Sequence, residues 1–216
     1  MIDPKYRPLT FSDYVYWGIF LTASVVVAQL LLSLIDLSFR EETVFLQEAA
    51  INRKIAATNV ALRTSAGKIV IRLMRPQAPV ASNVLSQLVQ SGFYDGTKFH
   101  RVEPGMLIGG GDPLSREKKR ELWGTGGPGY VFEDENLDAP MVRGTVALEN
   151  RGKPDTNGSQ IFIVVADEAP ELEGKYTVVG RVIGGMDVVD RIAAGKLAED
   201  GMPENPVVIR EARIEK

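Results

Sequence analysis

The 216-residue sequence contains no cysteine and only one histidine, His100. The lack of cysteine excludes disulfides, thiol nucleophiles and thiolate metal sites together. One histidine without cysteine also argues against a structural zinc site. A Ser-His-Asp hydrolase would have to use His100, and no G-x-S-x-G motif accompanies it. We therefore expect no metal and no other cofactor.

An excess of positive charge is also missing, because 25 Lys and Arg face 28 Asp and Glu for a net charge of -3. Bulk electrostatics thus does not favour nucleic acid, and we expect no such partner. Charge is absent locally as well, from Val15 to Ile35. A run of about 21 uncharged residues spans a hydrocarbon core of about 30 Å. Together with Tyr14, Tyr16 and Trp17 at its start, it predicts a transmembrane helix over 14–36, after an N-terminal tail over 1–13.

Two alternatives to this anchor are a cleaved signal peptide and a buried core helix. A cleaved signal peptide would use Ala28, but the apolar run continues past that residue. A buried core helix would show an apolar stripe, and here the apolar character is continuous. Lys5 and Arg7 lie close to the run on its N-terminal side, so we expect a single-pass membrane protein whose C-terminal domain is extracytoplasmic. The run has small residues but no GxxxG pair, so it does not indicate an oligomeric state.

The remaining chain divides at residue 58. Residues 37–57 contain helix formers and neither Gly nor Pro, which predicts a helical stalk, with a flexible linker as the alternative. Residues 58–216 read as one domain that is mainly β, since many short strands with glycine-rich turns accompany only two helices. This pattern predicts a closed antiparallel barrel capped by helices. A hairpin over 59–73 and a helix over 76–92 precede strands around 98–102, 106–109, 129–132, 144–149, 160–165 and 176–183, then a helix over 186–194 and a strand over 206–214.

Within this domain one stretch, FYDGTKFHRVEPGMLIGGGD over 93–112, combines a cation with apolar residues and glycines. Arg101 lies among aromatic and apolar residues on a predicted strand, which indicates a positive charge beside a pocket. The next segment, Ser115–Leu122, is rich in charge. It is expected to be a solvated loop, with a basic contact for an acidic partner as the alternative.

Four segments, 99–112, 123–130, 147–164 and 171–182, resemble the cyclophilin family of peptidyl-prolyl cis-trans isomerases, with a bacterial-like character. The resemblance covers Asn59 to Ile214 and implies an eight-stranded antiparallel barrel with two helices. It also implies isomerase activity on proline-containing polypeptides. The residues that match the family's functional positions are Arg101 for catalysis and Met106, Leu107, Asn150, Gln160, Phe162, Leu172 and Tyr176 for substrate binding.

The implied chemistry has a clear physical basis. Resonance stiffens the X-Pro amide, so that cis and trans forms exchange over a barrier of about 18–20 kcal/mol. In the twisted transition state the proline nitrogen regains a lone pair. A fixed cation that donates a hydrogen bond to this nitrogen stabilises the transition state more than it stabilises either planar form. An arginine keeps its charge and presents a planar fork of donors. The reaction needs no nucleophile, metal or cofactor.

Several positions depart from the family pattern. Gly109 stands where the family has a glutamine that orients the arginine, so we expect Arg101 to be less fixed and the rate reduced. Glu149 replaces an alanine and adds negative charge near the groove. Glu171 replaces a tryptophan, which argues against binding of cyclosporin-type macrocycles. A membrane-tethered peptide-binding or scaffold module with little catalysis is therefore the alternative function.

Overall fold

The computed structural model describes residues 58–215, together with Phe11, Ser12 and Gln29. The predicted transmembrane helix over 14–36 and the stalk over 37–57 lie outside the described residues, apart from Gln29. No helix among the described residues is long and apolar enough to cross a membrane. The chain divides into two units, Met1–Ile51 and Asn52–Lys216, and the second contains every strand and helix named below.

Among the residues that the structure describes, eight strands form one antiparallel sheet and two α-helices accompany it, so the predicted mainly β class is confirmed. The sheet order is β3-β4-β6-β5-β7-β2-β1-β8. The strands are β1 Asn59–Thr64, β2 Gly67–Leu73, β3 Lys98–Glu103, β4 Leu107–Asp112, β5 Thr145–Leu148, β6 Ile161–Val164, β7 Val178–Gly184 and β8 Ile209–Glu215, and the helices are α1 Pro79–Gln90 and α2 Met186–Ala193.

The sheet curls until its two edge strands approach each other. Lys98, at the start of β3, forms an isolated bridge with Val208, just before β8. The Phe99 amide donates to the Val207 carbonyl at 2.9 Å, and the Ile209 amide donates to the Thr97 carbonyl at 2.8 Å. The predicted closed barrel is thus a curled, barrel-like sheet, joined at its edges by a short bridge and not by a continuous ladder.

Alternation along β6 sorts its four buried residues between two apolar clusters. Ile161 and Ile163 lie in the large inner core with residues of β1, β2, α1 and α2. Phe162 and Val164 lie in a smaller cluster on the opposite face. Successive side chains of a strand point to opposite faces, so a strand buried on both sides reads as a continuous apolar run. The smaller cluster includes Phe162, which also lines a surface cavity.

Helix α1 follows the sequence prediction closely. Pro79 occupies the first turn, where its missing N–H costs nothing. The carboxylate of Glu135 accepts from the amides of Val80 at 3.1 Å and Ala81 at 2.8 Å, and so satisfies two of the free donors at the helix N-terminus. Gly92 follows the helix with a φ of 71°, a left-handed conformation that glycine adopts without strain.

One predicted strand, over 129–132, is wrong. The segment makes only an isolated bridge, between Phe132 and Asn157. Asn157 belongs to a loop, so the segment has no neighbouring strand with which to build a ladder. Tyr130 and Val131 are consequently exposed, at 48 % and 62 %. The segment forms the border of a surface cavity.

The charged segment Ser115–Leu122 is more tightly attached than a solvated loop. It begins within one short 3₁₀ turn, Pro113–Arg116, and ends with another, Arg120–Leu122. Arg120 pairs with Asp200 at 2.7 Å and lies 4.9 Å from the ring centre of Trp123. The Trp123 indole donates to the Glu117 carbonyl at 3.1 Å. The charge of Arg120 is therefore paired inside the protein, whereas Glu117, Lys118 and Lys119 are exposed.

Candidate active site

Arg101 lies on β3 directly opposite Gly109 on β4. A Cβ placed at position 109 would lie 3.3 Å from the Cβ of Arg101 and 3.6 Å from its Cδ. The aliphatic stem of Arg101 therefore runs across the space that a side chain at 109 would occupy. The Arg101 side chain is 41 % exposed. Its guanidinium is therefore accessible from the surface depression that Arg101, Gln160 and Phe162 line, which we call the groove.

Two carboxylates hold this guanidinium. Nε and Nη2 both donate to Oε1 of Glu103, at 2.9 and 2.6 Å, and Nη1 donates to Oε2 of Glu149 at 2.5 Å. Glu149 is itself fixed, because its Oε1 accepts from the Arg151 amide at 3.1 Å. We call Arg101, Glu103 and Glu149 the guanidinium cluster. Sequence analysis expects Gly109 to leave Arg101 less fixed, and that remains a prediction, but the guanidinium has charge-assisted hydrogen bonds to two carboxylates.

The cluster also keeps Arg101 charged. Partial burial acts against the charge, but the hydrogen bond to Glu103 and the charges of Glu149 and Glu103 outweigh it, so the pKa of Arg101 lies above its ordinary value. Burial, followed by the charge of Glu149, raises the pKa of Tyr176, so this side chain remains a neutral phenol at neutral pH.

Gln160 lies at the foot of the groove and is 6 % exposed. Its Nε2 donates to the carbonyl of Gly124 at 2.9 Å and to that of Gly126 at 2.8 Å. It therefore fastens the glycine-rich loop that faces the guanidinium cluster. Since the sequence resemblance assigns the peptide main chain to this amide, a substrate would compete with or extend these contacts.

His100 adjoins Gln160 on the buried side. It is 6 % exposed. Burial lowers its pKa below the ordinary value of 6.5, although Asp112 and the Lys98 carbonyl act in the opposite direction. The ring is therefore neutral at neutral pH.

Asn150 faces inward. Its Nδ2 donates to the Lys175 carbonyl at 2.7 Å, and its Oδ1 accepts from the Gly152 amide at 3.1 Å. Its own carbonyl accepts from the Lys153 amide at 3.0 Å. The side chain predicted to pair with the substrate thus braces two loops beside the groove, and pairing with a substrate main chain stays a prediction.

The other predicted substrate-binding residues form one apolar surface, which we call the apolar wall. Phe162 and Tyr176 meet edge to face, with ring centres 5.1 Å apart at 84°. Phe162 and Leu107 are each 1 % exposed, while the remaining members are partly buried. The wall comprises Met106, Leu107, Phe162, Leu172 and Tyr176.

Two surface cavities adjoin the guanidinium cluster. One, of about 330 Å³, has Arg101, Phe162 and Gln160 in its lining and is bordered by the loop Asp200–Met202. The other, of about 640 Å³, extends along residues 125–131. Glu149, Arg151 and Gln160 line both. The smaller cavity therefore joins the cation to the apolar wall through Phe162, while the other members of the wall and Asn150 line neither cavity.

Sequence reasoning missed Glu103 and the loop Asp200–Met202. A signal for Glu103 was present, because residues i and i+2 of a strand share one face, and Arg101-x-Glu103 places opposite charges there. The loop had no such signal, as about a hundred residues separate it from Arg101. Among the described residues no group of three or more His, Cys, Asp or Glu side chains could hold a metal ion.

Known proteins that resemble this chain identify its family. Residues 59–214 match the family described as cyclophilin type peptidyl-prolyl cis-trans isomerase/CLD. A probable peptidyl-prolyl cis-trans isomerase of Brucella suis is 38 % identical over 161 residues, covering 72 % of this chain and 82 % of that protein. Peptidyl-prolyl cis-trans isomerase-like 1 of Gibberella zeae is 37 % identical over 163 residues, covering 73 % of this chain and 94 % of that protein.

Solved structures agree. A cyclophilin type peptidyl-prolyl cis-trans isomerase of Cryptosporidium parvum superposes with a TM-score of 0.67 at 30 % identity, covering 74 % of this chain and 98 % of that one. The same protein, solved in the presence of the dipeptide Ala-Pro, gives a TM-score of 0.66 at 29 % identity, covering 73 % and 99 %. Since family match, relatives and fold all agree over the region from β1 to β8, the chain belongs to the cyclophilin-type peptidyl-prolyl cis-trans isomerases and is an enzyme of that type.

Proposed function

We propose that this isomerase acts on X-Pro bonds of unfolded or newly exported polypeptides, that its N-terminal segment tethers it to a membrane, and that Arg101 stabilises the transition state. The observation that carries the chemical part is the smaller cavity. There a charged guanidinium, a buried amide and an aromatic ring, those of Arg101, Gln160 and Phe162, face one space.

Each group has a distinct task in this mechanism. The ring of Phe162, backed by Tyr176, offers the proline ring an apolar surface. The amide of Gln160 holds the flanking main chain while the imide bond rotates, so that binding supplies orientation. Three of the five guanidinium N–H groups of Arg101 donate to Glu103 and Glu149. The other two are left to donate to the nitrogen lone pair that develops only in the twisted state.

We also propose a reduced rate, for a reason that differs from the lack of a side chain at 109. The carboxylates that hold Arg101 offset part of its positive charge at the point where the lone pair develops. Glu103 and Glu149 are 44 % and 16 % exposed, so solvent screens the first more than the second. A loss of about 1.4 kcal/mol in transition-state stabilisation corresponds to a tenfold lower rate.

The membrane part of the proposal is supported by the sequence alone. The uncharged run from Val15 to Ile35 has the length of a membrane span, and Lys5 and Arg7 favour a cytoplasmic N-terminus. A tether near a site of export raises the local concentration of the enzyme around emerging chains. Uncatalysed X-Pro exchange takes about 10–100 s and can limit their folding.

The catalytic assignment is tested by exchange spectroscopy on a short X-Pro peptide. Arg101→Ala should lower the catalysed exchange rate about 100-fold, the scale expected for the loss of one transition-state donor. Peptide affinity, measured by titration, should change far less. Arg63→Ala is the matched control, since Arg63 is a 64 % exposed strand arginine on β1. An unchanged rate in Arg101→Ala would contradict the mechanism even if the protein is active.

The same assay decides the second candidate function, a peptide-binding module with little catalysis. The engagement of Arg101 by two carboxylates favours this candidate, because a guanidinium already satisfied by anions has less charge to offer a substrate. An exchange rate in wild type equal to that in buffer, with peptide binding intact, would establish it. A rate above buffer that disappears in Arg101→Ala would exclude it.

Location is tested separately by protease treatment of intact cells that carry the full chain. An extracytoplasmic domain should be digested without lysis, and removal of residues 1–36 should release the domain from the membrane fraction. Protection in intact cells combined with digestion after lysis would place the domain inside and contradict export.

A further inference from the structure

We propose that Glu149 is a positioning residue for Arg101, which compensates for the side chain that position 109 lacks. This inference rests on the proposed function of Arg101. It differs from the reduced-rate argument, which concerns the charge of the carboxylates, because here the net effect of Glu149 is to raise the rate by orienting the guanidinium.

The geometry distinguishes Glu149 from Glu103. The Glu149 side chain is 16 % exposed and both of its oxygens have partners, the Arg101 Nη1 at 2.5 Å and the Arg151 amide at 3.1 Å. Glu103 is 44 % exposed and uses one oxygen for both of its bonds to Arg101. A carboxylate whose two oxygens both have partners can hold the guanidinium in one position. The exposed side chain of Glu103 has no such second partner among the described residues, so the arginine orients the glutamate as much as the glutamate orients the arginine.

The surroundings of Gly109 show why the two positions are linked. A Cβ at 109 would lie 3.3 Å from the Arg101 Cβ, tight enough that the arginine would have to shift by a few tenths of an ångström. With glycine at 109, the aliphatic stem of Arg101 lies against β4. Its guanidinium then bonds to Glu149, which is 48 residues away in sequence. Under this proposal, a glutamine at 109, the residue that the sequence resemblance implies, and a glutamate at 149 are alternative ways to hold the same group.

The experiment uses four variants of the full chain: Glu149→Ala, Glu149→Gln, Gly109→Gln and the double variant Glu149→Ala/Gly109→Gln. Exchange at saturating peptide reports turnover, and titration reports affinity, so the two effects separate. Glu149→Ala should lower saturated exchange about tenfold with affinity changed less than about twofold. Glu149→Gln keeps an acceptor for Nη1 and should lose only about threefold. The double variant should recover to within about threefold of wild type.

Glu168→Ala, which removes an exposed glutamate outside the cluster, is the matched control and should be silent. Equal or faster turnover in Glu149→Ala would overturn the inference, as would a double variant no faster than the single one. If substitutions at 109 prevent folding, the order wild type, Glu149→Gln, Glu149→Ala in turnover still decides it. Wild type without activity would refute the proposed function instead, so the two failures are distinguishable.

Discussion

The apolar wall and the guanidinium cluster meet where Phe162 and Arg101 line one cavity, but the two are built in different ways. Phe162 and Leu107 of the wall are each 1 % exposed and come from adjacent strands, β6 and β4, so neighbouring side chains on all sides fix them. Arg101 is 41 % exposed, and its guanidinium is held only by directed bonds from two carboxylates. Stability should therefore depend on the wall, and rate on the cluster.

The comparison also explains which departures the fold tolerates. In the wall, a packed apolar surface accepts exchange of one apolar residue for another when volume and character are kept. Beside the cluster, the sequence resemblance implies that Gly109 stands in place of a side chain that would bond to Arg101, and a general apolar contact cannot replace such a directed bond. The structure shows two carboxylates at the guanidinium, and under the proposal above they hold its orientation while they alter the local charge.

The largest effect is expected from Phe162→Ala. Removal of a fully buried phenylalanine should lower the free energy of unfolding by about 3–5 kcal/mol, since the transfer term and the residual cavity add. Chemical denaturation of the isolated domain monitored by circular dichroism measures this. An unchanged free energy of unfolding in Phe162→Ala would contradict the comparison, because the fold would then not depend on the packing of the wall.

Leu172→Ala provides the matched control on the same wall. Leu172 is only partly buried, so the loss should be smaller, about 1–2 kcal/mol. Its effect on peptide affinity should equal or exceed its effect on stability. A cost as large as that of Phe162→Ala would show that the partly exposed members of the wall also support the fold.

Much of this architecture could be predicted from sequence, because it follows local periodicity. Alternation identified both strands of the first hairpin, and helical spacing after Pro79 identified α1 to within three residues at its start. The segment over 129–132 shows the limit. Its local pattern resembles a strand, but a strand exists only where a neighbour supplies hydrogen bonds, and the partner segment around Asn157 is a loop.

The candidate site divides in the same way. Arg101, Gln160 and Phe162 were predicted from motifs and lie around one cavity. The bond from Arg101 to Glu149 joins residues 48 apart in sequence, and no spacing rule predicts such a contact. Sequence reasoning recognised that Glu149 adds charge near the groove, but only the folded chain shows that this charge meets the guanidinium.

A further prediction uses the single histidine, which lines the smaller cavity together with Arg101 and Phe162. Burial lowers the pKa of His100 below 6.5, so the unfolded chain binds the proton more readily than the folded one. Stability from the neutral ring is therefore complete above about pH 6.5 and decreases as pH falls below it, by at most about 1.4 kcal/mol per pH unit. Thermal unfolding measured between pH 7 and 5 should show this decrease.

His100→Gln is the control for this pH dependence. The variant lacks the titrating ring, so the slope of stability between pH 7 and 5 should flatten, even if its stability at pH 7 is lower. Because the chain has one histidine, no other side chain ordinarily titrates in this range. An identical slope in wild type and variant would show that the ring is not kept neutral by burial.

The smallest effect is expected from Glu103→Gln, which separates orientation from charge within the cluster. The amide oxygen can still accept from Nε and Nη2 of Arg101, while one negative charge beside the guanidinium disappears. Glu103 is 44 % exposed, so solvent screens that charge, and stability should change by less than about 0.5 kcal/mol. Turnover on an X-Pro peptide should rise by at most about twofold at low salt, and the difference should vanish near 1 M salt, where the screening length falls to about 3 Å. A tenfold fall would instead give Glu103 the larger part in holding Arg101, and the cluster would then depend on its most exposed member.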